Sequence, residues 1–174
     1  MSKSHLASLV FAIFASSGAL AEPALRTKVD VARGYRWELG AGTVSLYAIG
    51  GELIRQARLP GAFFSGSRES CRPGMLVASR TGELIVSSNA TPRLWRVHPT
   101  RLELRVYDIE LATDWDKDFG FAGLTWGPSE KIVYATNAVM RTAWRIDLGS
   151  ERGIPLTAPA PEQAAMWGGQ CPAR

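Results

Sequence analysis

An internal repeat of about 48 residues constrains the fold of this chain more than any other feature of its sequence. Gly34 and Gly82 are 48 residues apart, and two later tryptophans, Trp95 and Trp144, are 49 apart. One inserted residue explains the difference between the two spacings. A spacing that returns to the same turn and strand residues predicts one supersecondary unit that occurs about three times.

Each copy consists of short apolar segments that are separated by turn residues. In the second copy we predict strands at 75–79, 83–88, 94–97 and 103–107. In the third copy we predict strands at 123–126, 131–136, 143–147 and 154–156. No helical periodicity competes with this pattern after residue 22, apart from the short segment 161–167. The sequence therefore predicts an all-β fold of about three four-stranded antiparallel units.

A unit of this kind is apolar on both faces and must stack against a neighbour. We expect Leu84, Val86, Ile132 and Tyr134 to be buried between neighbouring sheets. The two end units each leave one face open, which predicts self-association or coverage by the tail at 157–174.

The third copy resembles a blade of the gluconolactonase and NHL-type β-propellers. It reads GLTWGPSEKIVYATN at 123–137 and ends with AWRID at 143–147, where such blades typically read GLAxxPDGxxLYVxD and then xxxIWRxD. Segment 83–97 is a second, weaker match. The resemblance implies a partial β-propeller of about three blades, completed by oligomerisation or capped by the tails, because closed propellers have at least four blades.

The N-terminus predicts export across a membrane. Lys3 supplies a positive charge, an apolar run follows at 6–14, and Ala19-Leu20-Ala21 has the small-x-small pattern of a signal-peptidase site. The apolar run is much shorter than the roughly 20 residues that span a bilayer, so we expect no stable membrane anchor. We predict a signal peptide at 1–21, a repeat domain at 22–156 and a tail at 157–174, in a periplasmic or secreted protein.

The charge pattern argues against nucleic acid as a partner. The formal net charge is +4, and the basic residues are mostly arginines that are scattered singly along the chain. Nucleic-acid binding proteins instead cluster lysine and arginine on one face.

The chain has two cysteines, Cys71 and Cys171, and both lie in the part expected to be exported. An oxidising compartment predicts a disulfide between them, which would tie the tail to the boundary between the first two blades. An intermolecular bridge and two free thiols are the alternatives. A zinc site is not expected, because the cysteines have no histidines nearby.

An alternating acidic segment lies between the second and third copies. Asp114, Asp116 and Asp118 can supply hard oxygen ligands for Ca²⁺ on a turning backbone. The EF-hand pattern is incomplete, since Phe119 stands at the sixth position and Thr125 at the twelfth. A calcium site and an ordinary solvated loop both remain open.

Asn89 and Asn137 are 48 residues apart, at what the spacing predicts to be equivalent positions. In blades of the family that the chain resembles, an Asp or Asn at this position often points to the central channel as a metal ligand or catalytic base. An amide can bind a ligand but cannot act as a base, and Ala122 replaces the Asn of the family's Pro-Asn-Gly-Leu pattern. The alternative is that each side chain hydrogen-bonds turn backbone.

The sequence contains no Ser/His/Asp set, no phosphate-binding glycine loop and no histidine cluster. We therefore predict an exported propeller-type binding or assembly protein without evident catalytic residues, whose partner is an unknown ligand, another protein or a second copy. The alternative is a calcium-dependent propeller hydrolase of the lactonase or esterase type. We expect no cofactor for the binding or assembly protein, and calcium is the alternative.

Overall fold

The computed structural model describes residues 24–66, 71–101, 103–113, 120–140 and 142–156. Within these ranges the chain forms β-strands and no helix, and thus no helix that could cross a membrane. The first sheet contains β1 (Arg26–Asp30), β2 (Tyr35–Leu39), β3 (Thr43–Ala48) and β4 (Leu53–Arg58). The second sheet contains β5 (Met75–Val77), β6 (Leu84–Ser87), β7 (Arg93–Val97) and β8 (Leu104–Asp108). The third sheet contains β10 (Phe121–Trp126), β11 (Ile132–Asn137), β12 (Ala143–Asp147), β13 (Arg152–Pro155) and the short β9 (Glu110–Leu111).

Each sheet is an antiparallel meander whose strands follow one another in chain order. The third sheet has β9 as an additional edge strand, which pairs with β13 in parallel. The all-β class and the four-stranded antiparallel units predicted from the repeat are confirmed at this level. None of the described sheets closes on itself.

The second sheet lies between the other two. Its strand β6 is buried along its whole length, as expected where successive side chains point to opposite covered faces. The core between the first and second sheets contains Trp37, Leu39, Val44, Leu46, Leu84, Val86, Trp95 and Val97. The core between the second and third sheets contains Ile85, Leu94, Tyr107, Phe121, Leu124, Val133, Ala135, Trp144 and Ile146. The predicted burial of Leu84 and Val86 between sheets is therefore confirmed.

The same glycine turn opens the second strand of the first two sheets. Gly34 has a φ of 68° and Gly82 a φ of 71°, in the left-handed region that glycine adopts without steric cost. The first strands of the three sheets are also neighbours, with β5 lying against both β1 and β10. The 48-residue spacing between the first two copies thus reflects equivalent turns.

The predicted equivalence of Asn89 and Asn137 is wrong by one residue. The N–H of Ser88 donates to the Arg93 carbonyl oxygen at 2.9 Å after β6, and the N–H of Asn137 donates to the Thr142 carbonyl oxygen at 2.8 Å after β11. Asn137 therefore corresponds to Ser88. The inserted residue lies before Leu124, because Leu124 pairs with Ala135 as Met75 pairs with Val86, at a spacing of 49, and the register of β10 shifts between Phe121 and Leu124.

The shift also corrects the predicted position of two side chains. Because side chains alternate along a strand, a slip of one residue moves each of them to the opposite face. Val133 and Ala135 occupy the interface with the second sheet, where we expected Ile132 and Tyr134. Ile132 and Tyr134 lie on the outer face of the third sheet; Ile132 is buried there, as predicted, whereas Tyr134 is partly exposed.

Candidate functional site

Asn89 holds two connecting segments against the second sheet. Its side chain is 2% exposed. Its Oδ1 accepts a hydrogen bond from the Ser65 N–H at 2.8 Å, and its Nδ2 donates to the carbonyl oxygens of Ser65 and Cys71, both at 2.9 Å. These bonds occupy most of the amide's capacity within the chain.

Asn137 stabilises the turn after β11. Its Oδ1 accepts hydrogen bonds from the N–H groups of Val139 at 2.8 Å and Met140 at 2.7 Å. This is the local backbone role that asparagine commonly has in turns. The two asparagines thus have different structural roles, and ligand binding by either one stays a prediction.

Cys71 lies beside the end of β11 in the third sheet, although it precedes the second sheet in the chain. It is fully buried beside Ala122 and Ala138, and its N–H donates to the Ala138 carbonyl oxygen at 2.9 Å. No cysteine in the described part of the chain is a free thiol. Cys171 lies outside the described residues, so its pairing with Cys71 stays a prediction.

The predicted calcium ligands Asp114, Asp116 and Asp118 also lie outside the described residues, as do the predicted signal peptide at 1–21 and the predicted tail at 157–174. Across the ranges that the structure does describe, no group of three or more His, Cys, Asp or Glu side chains could hold a metal ion. The calcium prediction is therefore neither supported nor contradicted.

A cleft at the outer edge of the second sheet is the structure's own candidate site. We call it the rim cleft; its volume is about 410 Å³, and it is lined by Glu83, Arg96, Glu103, Leu104, Arg105 and Tyr107. Three of these six residues, Leu104, Arg105 and Tyr107, lie on β8, the last strand of the sheet. The cleft faces the third sheet, because Tyr107 belongs to the core shared with that sheet.

Glu83 is the best-anchored acidic group of the rim cleft. Its Oε2 accepts hydrogen bonds from Arg96 Nε at 3.1 Å, from Arg96 Nη2 at 2.5 Å and from the Thr81 hydroxyl at 2.8 Å. Burial acts to raise the pKa of the Glu83 carboxyl, but the hydrogen bonds and the positive charge of Arg96 outweigh it and hold the pKa below its ordinary value. Glu83 is therefore ionised at neutral pH.

The lowered pKa predicts how Glu83 affects stability. A carboxylate with a depressed pKa stabilises the fold above its unfolded-state pKa of about 4.3, and this contribution is lost as the pH falls through the folded-state value. We expect Glu83→Gln to lower the free energy of unfolding at pH 7 by about 1 kcal/mol. The difference from the unmodified chain should shrink below about pH 4, as measured by urea denaturation across pH.

Glu103→Gln is the matched control for this prediction. Glu103 pairs with Arg101 at 3.6 Å, and both side chains are about two thirds exposed. Exposed pairs of this kind contribute little, so the substitution should leave stability unchanged. Equal losses for the two variants at pH 7 would contradict the role assigned to Glu83.

Arg105 is the exposed cation of the rim cleft. It lies directly across from Arg96 in the pairing of β7 and β8, with its guanidinium 4.7 Å from the centroid of the Tyr107 ring. Its Nη2 is 3.5 Å from Oε1 of Glu151, in the turn between β12 and β13. Like charges directly opposite on neighbouring strands destabilise a sheet, and here each arginine has its own carboxylate.

Glu151 occupies an unusual backbone conformation beside the cleft. Its φ is 57°, and it is the one non-glycine residue with positive φ in the described ranges. The turn is fixed on both sides, because Asp147 Oδ1 accepts the N–H groups of Gly149 and Ser150 and the Glu151 carbonyl oxygen accepts the Glu110 N–H at 2.8 Å. Left-handed non-glycine residues cost energy and are often found at functional sites.

The side chains that line the rim cleft are mostly charged and do not form a catalytic set. They offer carboxylate and guanidinium groups of opposite charge, without a histidine, a cysteine or an aligned nucleophile and base. Sequence reasoning missed this site, because Glu83 and Arg96 belong to the weaker blade match at 83–97, which predicts architecture rather than a site, and they meet only through strand pairing. No protein-family model and no curated protein matches this chain.

Proposed function

We propose that this chain is an exported binding or assembly protein built from propeller-type blades, and that it holds a small polar ligand in the rim cleft. Two features support the propeller-type arrangement. The second sheet is covered on both faces by its neighbours, and the first strand of each sheet lies beside that of the next. Both features are typical of radially stacked four-stranded blades.

The observation that carries the binding proposal is the paired charge inside the rim cleft. A volume of about 410 Å³ falls within the range of small-ligand sites. Arg96 is neutralised by Glu83, whereas Arg105 and Glu103 keep side chains that are 61% and 68% exposed. Such a lining favours an uncharged or zwitterionic compound with several hydroxyl or amino groups, because a strongly charged ligand would meet a group of its own sign.

Binding fits the cleft better than catalysis does. The carboxyl of Glu83 has a lowered pKa and cannot supply a proton at neutral pH. The amides of Asn89 and Asn137 hydrogen-bond backbone groups of the chain. The calcium-dependent hydrolase has no supporting observation among the described residues.

A thermal-shift screen tests the proposal. A ligand that binds only the native state raises the melting temperature with its concentration, so the exported chain is screened against sugars, polyols and amino acids. We expect a hit whose effect is lost in Arg105→Ala and retained in Arg152→Ala. Arg152 is a suitable control, because its side chain is about as exposed as that of Arg105 and forms an ion pair with Glu110, at 3.4 Å, outside the cleft.

Two results would contradict the proposal. A ligand that stabilises Arg105→Ala as strongly as the unmodified chain would show that the rim cleft is not the binding site. Calcium-dependent lactone hydrolysis that is abolished by Asp116→Ala would instead establish the hydrolase.

A further inference from the structure

The last strands of the three meanders, β4, β8 and β13, are not equally covered. In the third sheet, β13 pairs with β12 on one side and with the parallel strand β9 on the other. Within the described ranges, β4 pairs with β3 alone and β8 pairs with β7 alone. An edge strand presents backbone N–H and C=O groups that can pair with a further strand. At six residues, β4 is the longest of these edges.

The contact between β9 and β13 shows how such an edge is covered in this fold. Glu110 lies opposite Arg152, and their side chains form an ion pair at 3.4 Å. Leu111 lies opposite Gly153, and its Cδ2 would be 3.0 Å from a Cβ at that position. Leu111 is 7% exposed and belongs to the core between the second and third sheets. The cover therefore combines a carboxylate opposite an arginine with an apolar side chain over a small residue.

β4 offers the same two features without a cover. The exposed Arg58 follows the small residue Ala57, and successive side chains of a strand point to opposite faces. Ala57 packs at the margin of the core between the first and second sheets, where Val106 is also only partly buried. Leu53 and Ile54, at the start of β4, are 51% and 44% exposed. An apolar side chain opposite Ala57 would therefore extend this core.

The arginines of β4 also lack the carboxylates that compensate the other edge strands. The arginines of β8 and β13 each lie within 3.5 Å of a carboxylate oxygen. Arg55 and Arg58 form no ion pair with any residue that the structure describes. Arg55 Nη1 donates to the His98 carbonyl oxygen at 2.6 Å, and its buried Nε has no hydrogen-bond partner in the same ranges. The edge of β4 thus carries positive charge that an acidic partner would neutralise.

The same charges disfavour pairing of β4 with a second copy of itself. Such pairing would bring Arg55 and Arg58 of each copy together without a carboxylate on either strand, and like charges on neighbouring strands destabilise a sheet. The pairing of β3 with β4 also shifts register between Leu46 and Tyr47. Charges and irregularities of this kind protect edge strands from unselective pairing. They leave a segment of opposite charge as the matching occupant.

We propose that the edge of β4 binds an extended acidic segment of a partner protein by strand addition. The segment places a carboxylate opposite Arg58 and an apolar side chain opposite Ala57. In strand addition the main-chain hydrogen bonds supply affinity, and alternate side chains supply specificity. The inference goes beyond the proposed function and does not depend on the rim cleft, which faces the third sheet.

Fluorescence anisotropy of the exported chain tests this proposal with three labelled peptides of equal length. The first alternates glutamate and valine, and the second alternates lysine and valine. The third has the sequence of the first with an N-methylated backbone, so it keeps the charge but cannot donate backbone hydrogen bonds. We expect the first peptide to bind, and the other two to bind at least about tenfold more weakly.

Arg58→Glu reverses the charge at the proposed contact, and Arg80→Glu is its matched control. Both arginines are exposed, and Arg80 lies in the turn between β5 and β6 rather than on an edge strand. The two variants change the net charge equally. We expect Arg58→Glu to weaken binding of the glutamate–valine peptide about tenfold and to strengthen binding of the lysine–valine peptide. Arg80→Glu should leave both affinities unchanged.

The other outcomes overturn the proposal. If the glutamate–valine peptide did not bind, β4 would not be an acceptor for acidic strands. Equal binding of the N-methylated peptide would exclude strand addition. Equal losses in Arg58→Glu and Arg80→Glu would show attraction by net charge alone, and full binding by Arg58→Glu would place the peptide elsewhere on the chain.

Discussion

Trp95→Ala is expected to lower the free energy of unfolding by about 3–5 kcal/mol, the loss typical of a large aromatic residue removed from a packed core. Trp95 is fully buried between the first and second sheets. Its ring centroid is 5.9 Å from that of Phe64, and its Nε1 donates to the Pro60 carbonyl oxygen at 3.0 Å. The substitution removes the packing of the indole ring and also the hydrogen bond that anchors the connecting segment at Pro60.

Urea denaturation measures this loss, and Tyr47→Ala is its control. Tyr47 is also an aromatic residue on a central strand, but it lies partly exposed on the outer face of the first sheet. Its removal leaves no closed cavity, so we expect a loss of about 1 kcal/mol or less. Comparable losses for the two variants would mean that the first and second sheets do not form the interface described above.

The strands could be predicted from the sequence because the signals for them are local. Alternating apolar residues and turn glycines such as Gly34 and Gly82 specify where each strand begins, whatever packs against it. The predicted strands of the second and third copies consequently coincide with the observed ones to within about two residues.

The register of the third sheet could not be predicted in the same way. Asn89 and Asn137 match in residue type, and this chance identity placed the inserted residue after β11 rather than before Leu124. A connecting segment can absorb an insertion without disturbing a strand, so turn and strand residues alone do not locate it. The strand pairing locates the insertion, because a slip of one residue moves every side chain of the strand to the opposite face of the sheet.

The rim cleft and β9 depend on contacts that have no local signature. Glu83 meets Arg96 across a strand pair, and Arg105 meets Glu151 across two sheets. The two residues of β9 pair with Arg152 and Gly153, which lie far along the chain. Such sites follow from the packing of the sheets and become visible only once that packing is known.

Gly74→Ala tests how closely β5 and β10, the first strands of the second and third sheets, approach each other. A Cβ at this position would lie 1.9 Å from the Ala122 carbonyl oxygen, 2.5 Å from Leu124 Cγ and 2.8 Å from Ser87 Oγ. The nearest of these atoms belongs to backbone, so rotation of a side chain cannot relieve the clash. We expect a loss of about 3 kcal/mol, at the upper end of overpacking effects.

The matched control is Gly42→Ala, in the turn between β2 and β3. A Cβ there would meet nothing within 4 Å. The substitution should leave the melting temperature unchanged or raise it slightly, because alanine restricts the unfolded chain more than glycine does. If Gly74→Ala and Gly42→Ala had the same melting temperature, β5 and β10 could not be as close as described. These two first strands would then be separate, and the radial stacking on which the propeller-type proposal depends would have to be abandoned.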